Sequence, residues 1–190
     1  MGVLTPGFPD QPTVEVLPPT NGALFLVVGA IQRGNRSREF ADFLARANAN
    51  PEAEFSNALF GCLREAGVQP SSLPADARRS KFLSEYGSIA RPDIDAVLDV
   101  VVANYGYYAV TNAAPFKPRL IMQARLVDRQ THAVLMQDTI NMVNVAPADP
   151  TVTTFSFQDY SDIAANPAGA VQGLQSAIDA AAAAVCKRLT

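Results

Sequence analysis

The sequence is short of the side chains on which most enzymes and nucleic-acid-binding proteins depend. Of its 190 residues only 17% are charged, the formal net charge is -3, and there is a single histidine. Ordinary proteins carry about 25% charged residues, and binding to a phosphate backbone requires a basic stripe. The composition therefore argues against a nucleic-acid partner.

Metal binding and nucleophilic catalysis also lack their usual residues. His132 has no cysteine or carboxylate partner at the spacing of a metal site. No nucleophile elbow accompanies it, and it falls in a predicted hairpin turn where water would solvate it. We therefore expect no catalytic residue, no metal ion and no cofactor, and we do not expect an enzyme.

Long apolar runs and a signal peptide are missing as well. No stretch approaches the 18 residues of a membrane-spanning helix, although 48% of the residues are hydrophobic. A chain of this length is most simply one domain. Because the first 21 residues contain five prolines, we expect an extended arm over 1–21 and a single domain over 22–190.

The apolar pattern predicts four strands in one sheet. A continuous apolar run with β-branched residues is typical of a buried strand, and strict alternation is typical of a strand with one exposed face. The strand over 95–104 is apolar on both faces except at Asp99, so we expect it to be central. The predicted strands lie near 23–31, 95–104, 119–128 and 133–142, the last two forming a hairpin, with a short edge strand at 153–157.

Helix signals surround these strands. Asn50-Pro51 and Asn166-Pro167 each place Asn at an N-cap and Pro at the first helical position. They predict helices over 51–66 and 167–189, and a further helix is expected over 36–48. The order of elements predicts an α+β fold, an α/β sandwich. In it a mostly antiparallel sheet of four to five strands carries helices 51–66 and 167–189.

The segment from Gly29 to Ser37 lies between a predicted strand and a predicted helix, which is the setting of a phosphate-binding loop. Asn35 stands where such a loop has its lysine, and Arg36 stands where it has the hydroxyl ligand of magnesium. We interpret the segment as an ordinary strand-to-helix loop. The alternative is a nucleotide-binding or small-molecule-binding protein, or an enzyme, that uses this loop.

Cys62 and Cys186 lie on two predicted helices. If both helices cover the same sheet face, a disulfide in an oxidising compartment would close a long loop and contribute about 4 kcal/mol in the chain-entropy model. The alternative is two free cysteines that pack as small hydrophobic residues. The disulfide is favoured on the condition that the protein is exported.

An aromatic cluster follows the predicted central strand and consists of Tyr105, Tyr107, Tyr108 and Phe116. Exposed aromatic clusters often anchor interfaces, so one hypothesis is an interaction surface. The alternative, which is the commoner role of aromatic residues at a strand end, is a lid over the core.

With these elements placed, the chain resembles the small periplasmic domains of outer-membrane lipoproteins. It is most similar to curli-secretion-like and penicillin-binding-protein-activator-like lipoproteins, which share a fold with the TolB N-terminal domain. Two departures concern His132, where a glycine is usual, and the lipobox cysteine, which is not present. The resemblance rests on DAVLDVVV at 95–102, PRLIMQARLVD at 118–128, residues 131–136 and the alanine-rich last helix.

The resemblance implies a non-enzymatic lipoprotein domain of the cell envelope with a protein-binding or assembly role. It implies a periplasmic location and attachment to the outer membrane in the native protein. The expected partner is another cell-envelope protein, and a homo-oligomer is also compatible with it. A membrane contact is expected only through a lipid anchor outside this sequence.

Overall fold

The computed structural model describes residues 1–16, 23–77, 79–86, 91–111, 113–143 and 155–189, with side chains omitted for 23–32. In this part of the chain, helices pack on one mixed sheet, which confirms the α+β prediction. The strands are β1 (Gly2–Leu4), β2 (Thr13–Val16), β3 (Ser71–Leu73), β4 (Ala96–Ala109), β5 (Lys117–Asp128) and β6 (Val134–Val143). The helices are α1 (Ala23–Arg46), α2 (Pro51–Glu65), α3 (Tyr160–Ala165) and α4 (Pro167–Lys187).

The strand β4 is central, as its two apolar faces predicted. The strands of the sheet follow the order β3-β1-β4-β5-β6, and β2 also pairs with β4. On one side, β4 pairs with antiparallel β5 along nearly all of its length. On the other side it pairs with two parallel strands, β1 near its beginning and β2 near its end. The sheet is therefore mixed, which corrects the prediction of a mostly antiparallel sheet.

The parallel strands come from the proline-containing N-terminal segment. The prolines leave only short uninterrupted runs, and two of these runs form strands of three and four residues that pair with distant parts of the chain. Val3, Phe8 and Val14 are buried in the core. The expected extended arm therefore does not describe residues 1–16, which belong to the sheet; residues 17–21 lie outside the described part.

Helix α1 occupies the segment for which a strand over 23–31 was predicted, so that prediction is wrong. An unbroken apolar run has no period, and periodicity cannot separate a buried strand from a buried helix segment. The predicted helix over 36–48 is the second half of α1, where Phe40, Phe43 and Leu44 are buried.

The main core lies between the helices and one face of the sheet. Helix α1 contacts β2, α4 contacts β5 and β6, and α2 packs beside α4. Alternate residues of β4 point into this core, beginning with Leu98, Val100 and Val102. From α4 the core receives Leu174 and Ile178, which lie four positions apart on one helix face.

Both predicted helix N-caps are confirmed. The side chain of Asn50 accepts a hydrogen bond from the Ala53 N–H at 3.1 Å, and that of Asn166 accepts one from the Gly169 N–H at 3.0 Å. Each cap satisfies a backbone donor that the helix itself leaves free, which is worth about 1 kcal/mol.

The opposite face of β4 is covered by a loop rather than by helices. A second hydrophobic cluster forms there, and the loop that contains residues 79–86 contributes Tyr86 to it. Residues 81–86 are irregular. For the predicted strand at 153–157, residues 153 and 154 lie outside the described part, and Phe157 forms an isolated bridge with Phe116.

Two glycines provide a matched test of this topology. Gly106 has a φ of 139°, and a Cβ there would collide with the backbone of Thr13 in β2. We expect Gly106→Ala to lower the free energy of unfolding by about 2 kcal/mol or more. Gly61 lies inside α2 with no atom within 4 Å of an added Cβ, so Gly61→Ala should raise it by about 0.5–1 kcal/mol.

Urea unfolding followed by circular dichroism measures both changes. A Gly106→Ala protein as stable as the wild type would contradict the close parallel approach of β2 to β4.

Candidate functional site at the open side of the sheet

The helix-free face of the sheet is closed over β4 and open over β5 and β6. Residues Leu120, Met122 and Ala124 of β5 point into the helix-side core, so the residues between them face the other way. In the paired register, Gln123 lies opposite Thr139, and both are exposed. This uncovered part of the sheet is the first element of the candidate site.

The closed half is fastened by a buried carboxylate. Asp99 of β4 has no exposed surface and accepts hydrogen bonds from an Arg79 Nη, from the Leu83 N–H at 2.9 Å and from the Tyr86 hydroxyl at 2.9 Å. The other Nη of Arg79 donates to the Thr5 carbonyl oxygen at 2.8 Å. A buried charge is tolerated when it is paired and its other lone pairs are satisfied, and Asp99 meets both conditions.

The Tyr86 hydroxyl stays a donor over a wide pH range. Burial and, to a smaller extent, the negative charge of Asp99 together raise the pKa of Tyr86 to about 12. Because the neutral phenol is the form that donates to Asp99, this hydrogen bond persists at neutral and moderately alkaline pH.

Arg125 connects the closed half to the open half. It lies opposite Asp99 in the register of β4 and β5. Its Cζ atom stands 4.1 Å from the centre of the Phe82 ring, and its Nε donates to Gln137 Oε1 of β6 at 2.9 Å. The loop, the central strand and the edge strand therefore meet around one guanidinium group.

A cavity of about 380 Å³ lies beside this arginine, between the loop and the β5–β6 turn. His132 stands on its rim in the left-handed conformation, with a φ of 61°, and its side chain is exposed, as expected for a turn residue. Asp128 accepts hydrogen bonds from the backbone and hydroxyl of Thr131 and thereby fixes the turn. The lining residues are Ser84, Glu85, Tyr86, Arg125, Val127, His132 and Val134.

The strand β6 forms the outer edge of the described sheet. Val134 and Leu135, which we name the hairpin tip, are 54% and 56% exposed. A register shift opposite Leu126 and Val127 interrupts the pairing at this point. Farther along the strand, Asp138 accepts a hydrogen bond from the Thr139 N–H at 2.7 Å and forms an ion pair with Arg188. The middle of the edge strand is therefore flanked by charged side chains, whereas the hairpin tip is apolar.

The predicted aromatic cluster is not at this surface. Tyr105, Tyr107 and Phe116 are 7%, 1% and 4% exposed, and the Tyr107 hydroxyl donates to the Ala170 carbonyl oxygen. Tyr108 is partly buried, with the Arg119 Cζ 4.6 Å from its ring centre. Three of the four residues are thus core residues rather than an interaction surface, which agrees with the alternative of a core lid.

Cys62 and Cys186 form a disulfide between α2 and α4. The two Cα atoms are 6.2 Å apart, and the two helices pack side by side on the same face of the sheet. The geometric requirement for the pairing, two helices on one face of the sheet, is therefore met.

The segment from Gly29 to Ser37 lies within α1 and is not a loop. In a helix interior the backbone N–H groups bond to carbonyl groups four residues earlier, so they cannot form a phosphate cradle. Ser37 accepts a hydrogen bond from the Val14 N–H, and the Arg36 Cζ lies 5.2 Å from the centre of the Tyr160 ring. Because the segment is helical, the alternative hypothesis of a nucleotide site formed by a loop at this segment is wrong.

Within the described ranges, no three His, Cys, Asp or Glu side chains come together as a metal site. None of the helices in those ranges is both long and apolar enough to cross a membrane.

The sequence contains one signal for the exposed hairpin tip. Val134 and Leu135 are adjacent apolar residues at the start of an otherwise alternating strand. Because consecutive side chains point to opposite faces, both cannot enter the core. The Phe82–Arg125 contact had no such signal, since it joins an irregular loop to a distant strand.

No protein family model matches the sequence, and no curated protein matches it. A Xanthomonas campestris protein described under the family model DUF330 is 9% identical over 97% of this chain and 79% of that chain, with a TM-score of 0.49. The PelC dodecamer of Paraburkholderia phytofirmans is 13% identical over 99% of this chain and 84% of that chain, with a TM-score of 0.44. The lipoprotein GNA1162 of Neisseria meningitidis is 19% identical over 75% of this chain and 81% of that chain, with a TM-score of 0.28. Likenesses this remote assign the chain to no family.

Two aspartates test the role of the buried carboxylate. We expect Asp99→Asn to lower the free energy of unfolding by about 3–5 kcal/mol, because Arg79 would remain buried without its counter-charge. Asp93 pairs with Arg91 at 3.4 Å on the surface, where both side chains are more than half exposed. The matched change Asp93→Asn should cost no more than about 1 kcal/mol.

Chemical denaturation of both variants measures the difference. Equal, small effects would show that Asp99 does not fasten the loop.

Proposed function

We propose that this chain is a non-enzymatic, protein-binding domain of the cell envelope, and that the hairpin tip and the edge of β6 bind another envelope protein. It works in the periplasm and is held at the outer membrane by a lipid anchor in the native protein. The observation that carries the proposal is the pair of exposed apolar side chains, Val134 and Leu135, on the edge strand.

Exposed apolar residues on a strand edge are unusual in a protein without a partner. Edges are normally protected by charges, prolines or covering segments, because their free backbone groups accept further strands. Complete burial of an exposed side chain of this size contributes about 1.5–3 kcal/mol, and because each of these two is already nearly half covered, a partner would gain about half of that per side chain. A partner that adds an extended segment to β6 would gain backbone hydrogen bonds and bury the tip at the same time.

The location rests on the disulfide and on the sequence resemblance. Disulfides persist in oxidising compartments such as the periplasm and are rare in reducing ones. The bond between Cys62 and Cys186 spans a sequence separation of 124 residues, and closing a loop of that length contributes about 4–5 kcal/mol in the chain-entropy model. The outer-membrane anchor follows from the resemblance to lipoprotein domains.

The non-enzymatic part of the proposal is supported by the roles of the buried charged groups. Asp99 is paired with Arg79, and its remaining bonds hold the loop. Arg79 in turn binds the backbone at Thr5. These groups serve the fold.

A photo-crosslinking amino acid at Leu135 tests the proposed interface in cells of the native host. Val110 provides a matched control, because it is also a large apolar residue and is 54% exposed. We expect Leu135 to yield an adduct with a cell-envelope protein and Val110 to yield none.

No adduct from Leu135, or the same adduct in equal yield from Val110, would contradict the interface. An adduct of twice the mass of the chain would identify a second copy as the partner. On the same material, titration under denaturing, non-reducing conditions should find no free thiol, whereas two free thiols would contradict the oxidising compartment.

A further inference from the structure

The cavity beside the β5–β6 turn contains a fixed arginine without a carboxylate partner. Phe82 covers the Arg125 guanidinium at 4.1 Å, and Gln137 accepts from its Nε at 2.9 Å. Among the described ion pairs none involves Arg125. The partners described for its side chain are therefore neutral groups, and Arg125 is one of the residues that line the cavity.

Neither of the two neighbouring acidic residues forms a described ion pair with Arg125. Asp99, across the β4–β5 pair, is already bound to Arg79, and the Tyr86 hydroxyl also donates to it. Glu85 lies at the exposed rim of the cavity and forms no described ion pair. A guanidinium held in this way can bind a carboxylate through two parallel hydrogen bonds.

The rest of the cavity fits a small apolar group next to that carboxylate. Val127, which is 2% exposed, and Val134 supply apolar wall, while Ser84 and His132 supply polar groups. A volume of about 380 Å³ falls within the range of small-ligand sites and accommodates a ligand the size of one amino acid.

We infer that this cavity binds a carboxylate that carries a small apolar group, with Arg125 holding the carboxylate and Val127 and Val134 contacting the apolar part. Such a group occurs at the C-terminus of a polypeptide and in free N-acyl amino acids. The inference goes beyond the proposed partner interface and does not require it, because a small ligand alone would fill the site.

Titration of the ¹⁵N-labelled full chain with N-acetyl-L-leucine, followed by NMR, tests the inference directly. We expect saturable shifts at Arg125, Val127 and Val134. N-acetyl-L-leucinamide, which lacks only the negative charge, should bind about ten- to a hundredfold more weakly. Acetate should also bind more weakly, because it cannot reach the apolar wall.

Three variants locate the site. Arg125→Gln should weaken N-acetyl-L-leucine binding by about tenfold or more. Glu85→Gln should strengthen binding by about twofold to threefold, because it removes a like charge from the rim. Arg91→Gln should leave binding unchanged, since Arg91 is an exposed arginine that pairs with Asp93 and is not among the residues lining the cavity. The Glu85 variant and the acid–amide comparison remain informative even if Arg125→Gln disturbs the loop.

A comparison of one tripeptide with N-acetyl-L-leucine distinguishes the sources of the carboxylate. Tighter binding of Gly-Val-Leu with a free C-terminus than of N-acetyl-L-leucine would favour a polypeptide C-terminus, and the reverse order would favour a free acid. Absence of saturable shifts, equal binding of acid and amide, or unchanged binding in both Arg125→Gln and Glu85→Gln would overturn the inference.

Discussion

The pairing of one buried carboxylate determines how the two faces of this sheet differ. β4 is apolar on both faces and must be covered on both, yet helices pack on only one of them. On the other face Asp99 binds Arg79, Leu83 and Tyr86 and so holds the 79–86 loop across the strand. This loop covers the sheet as far as the contact between Phe82 and Arg125. The outer part of the same sheet face therefore stays exposed.

The helix layer and the open side have different roles in this account. The disulfide between Cys62 and Cys186 joins α2 and α4 and constrains the layer that covers the core. The open side carries the hairpin tip, the edge of β6 and the Arg125 cavity within a short distance of one turn. The stable layer thus supports a surface whose side chains remain available to a partner and a ligand.

Local signals account for the parts of the fold that the sequence predicted. β4, the β5–β6 hairpin and the two Asn-Pro helix starts each depend on patterns within about ten to twenty residues, and all were found. The apolar run at 23–31 has no periodicity that separates a strand from a helix, so a strand was predicted where the structure has the first part of α1. β1 and β2 pair with residues about ninety positions away, so nothing near them in the sequence marked them as strands.

The candidate site was harder to predict for the same reason. Asp99 stood out as the polar residue of an apolar strand, but its partners Arg79 and Tyr86 lie on an irregular loop with no periodicity. The aromatic cluster was conspicuous in the sequence and proved to be mostly core, because Tyr105 and Tyr107 lie two positions apart and share the helix-side face.

The central claim is that the outer edge of β6 is open, and amide hydrogen exchange measured by NMR tests it most directly. The Thr139 N–H bonds to Asp138, so it points away from β5, and by the two-residue period the N–H groups of Gln137 and Asn141 point the same way. We predict that these two amides exchange nearly as fast as those of an unprotected peptide, while the amide of Leu83, which donates to buried Asp99, exchanges slowly. Strong protection of Gln137 and Asn141 in the isolated chain would show that the edge is covered and would contradict the account.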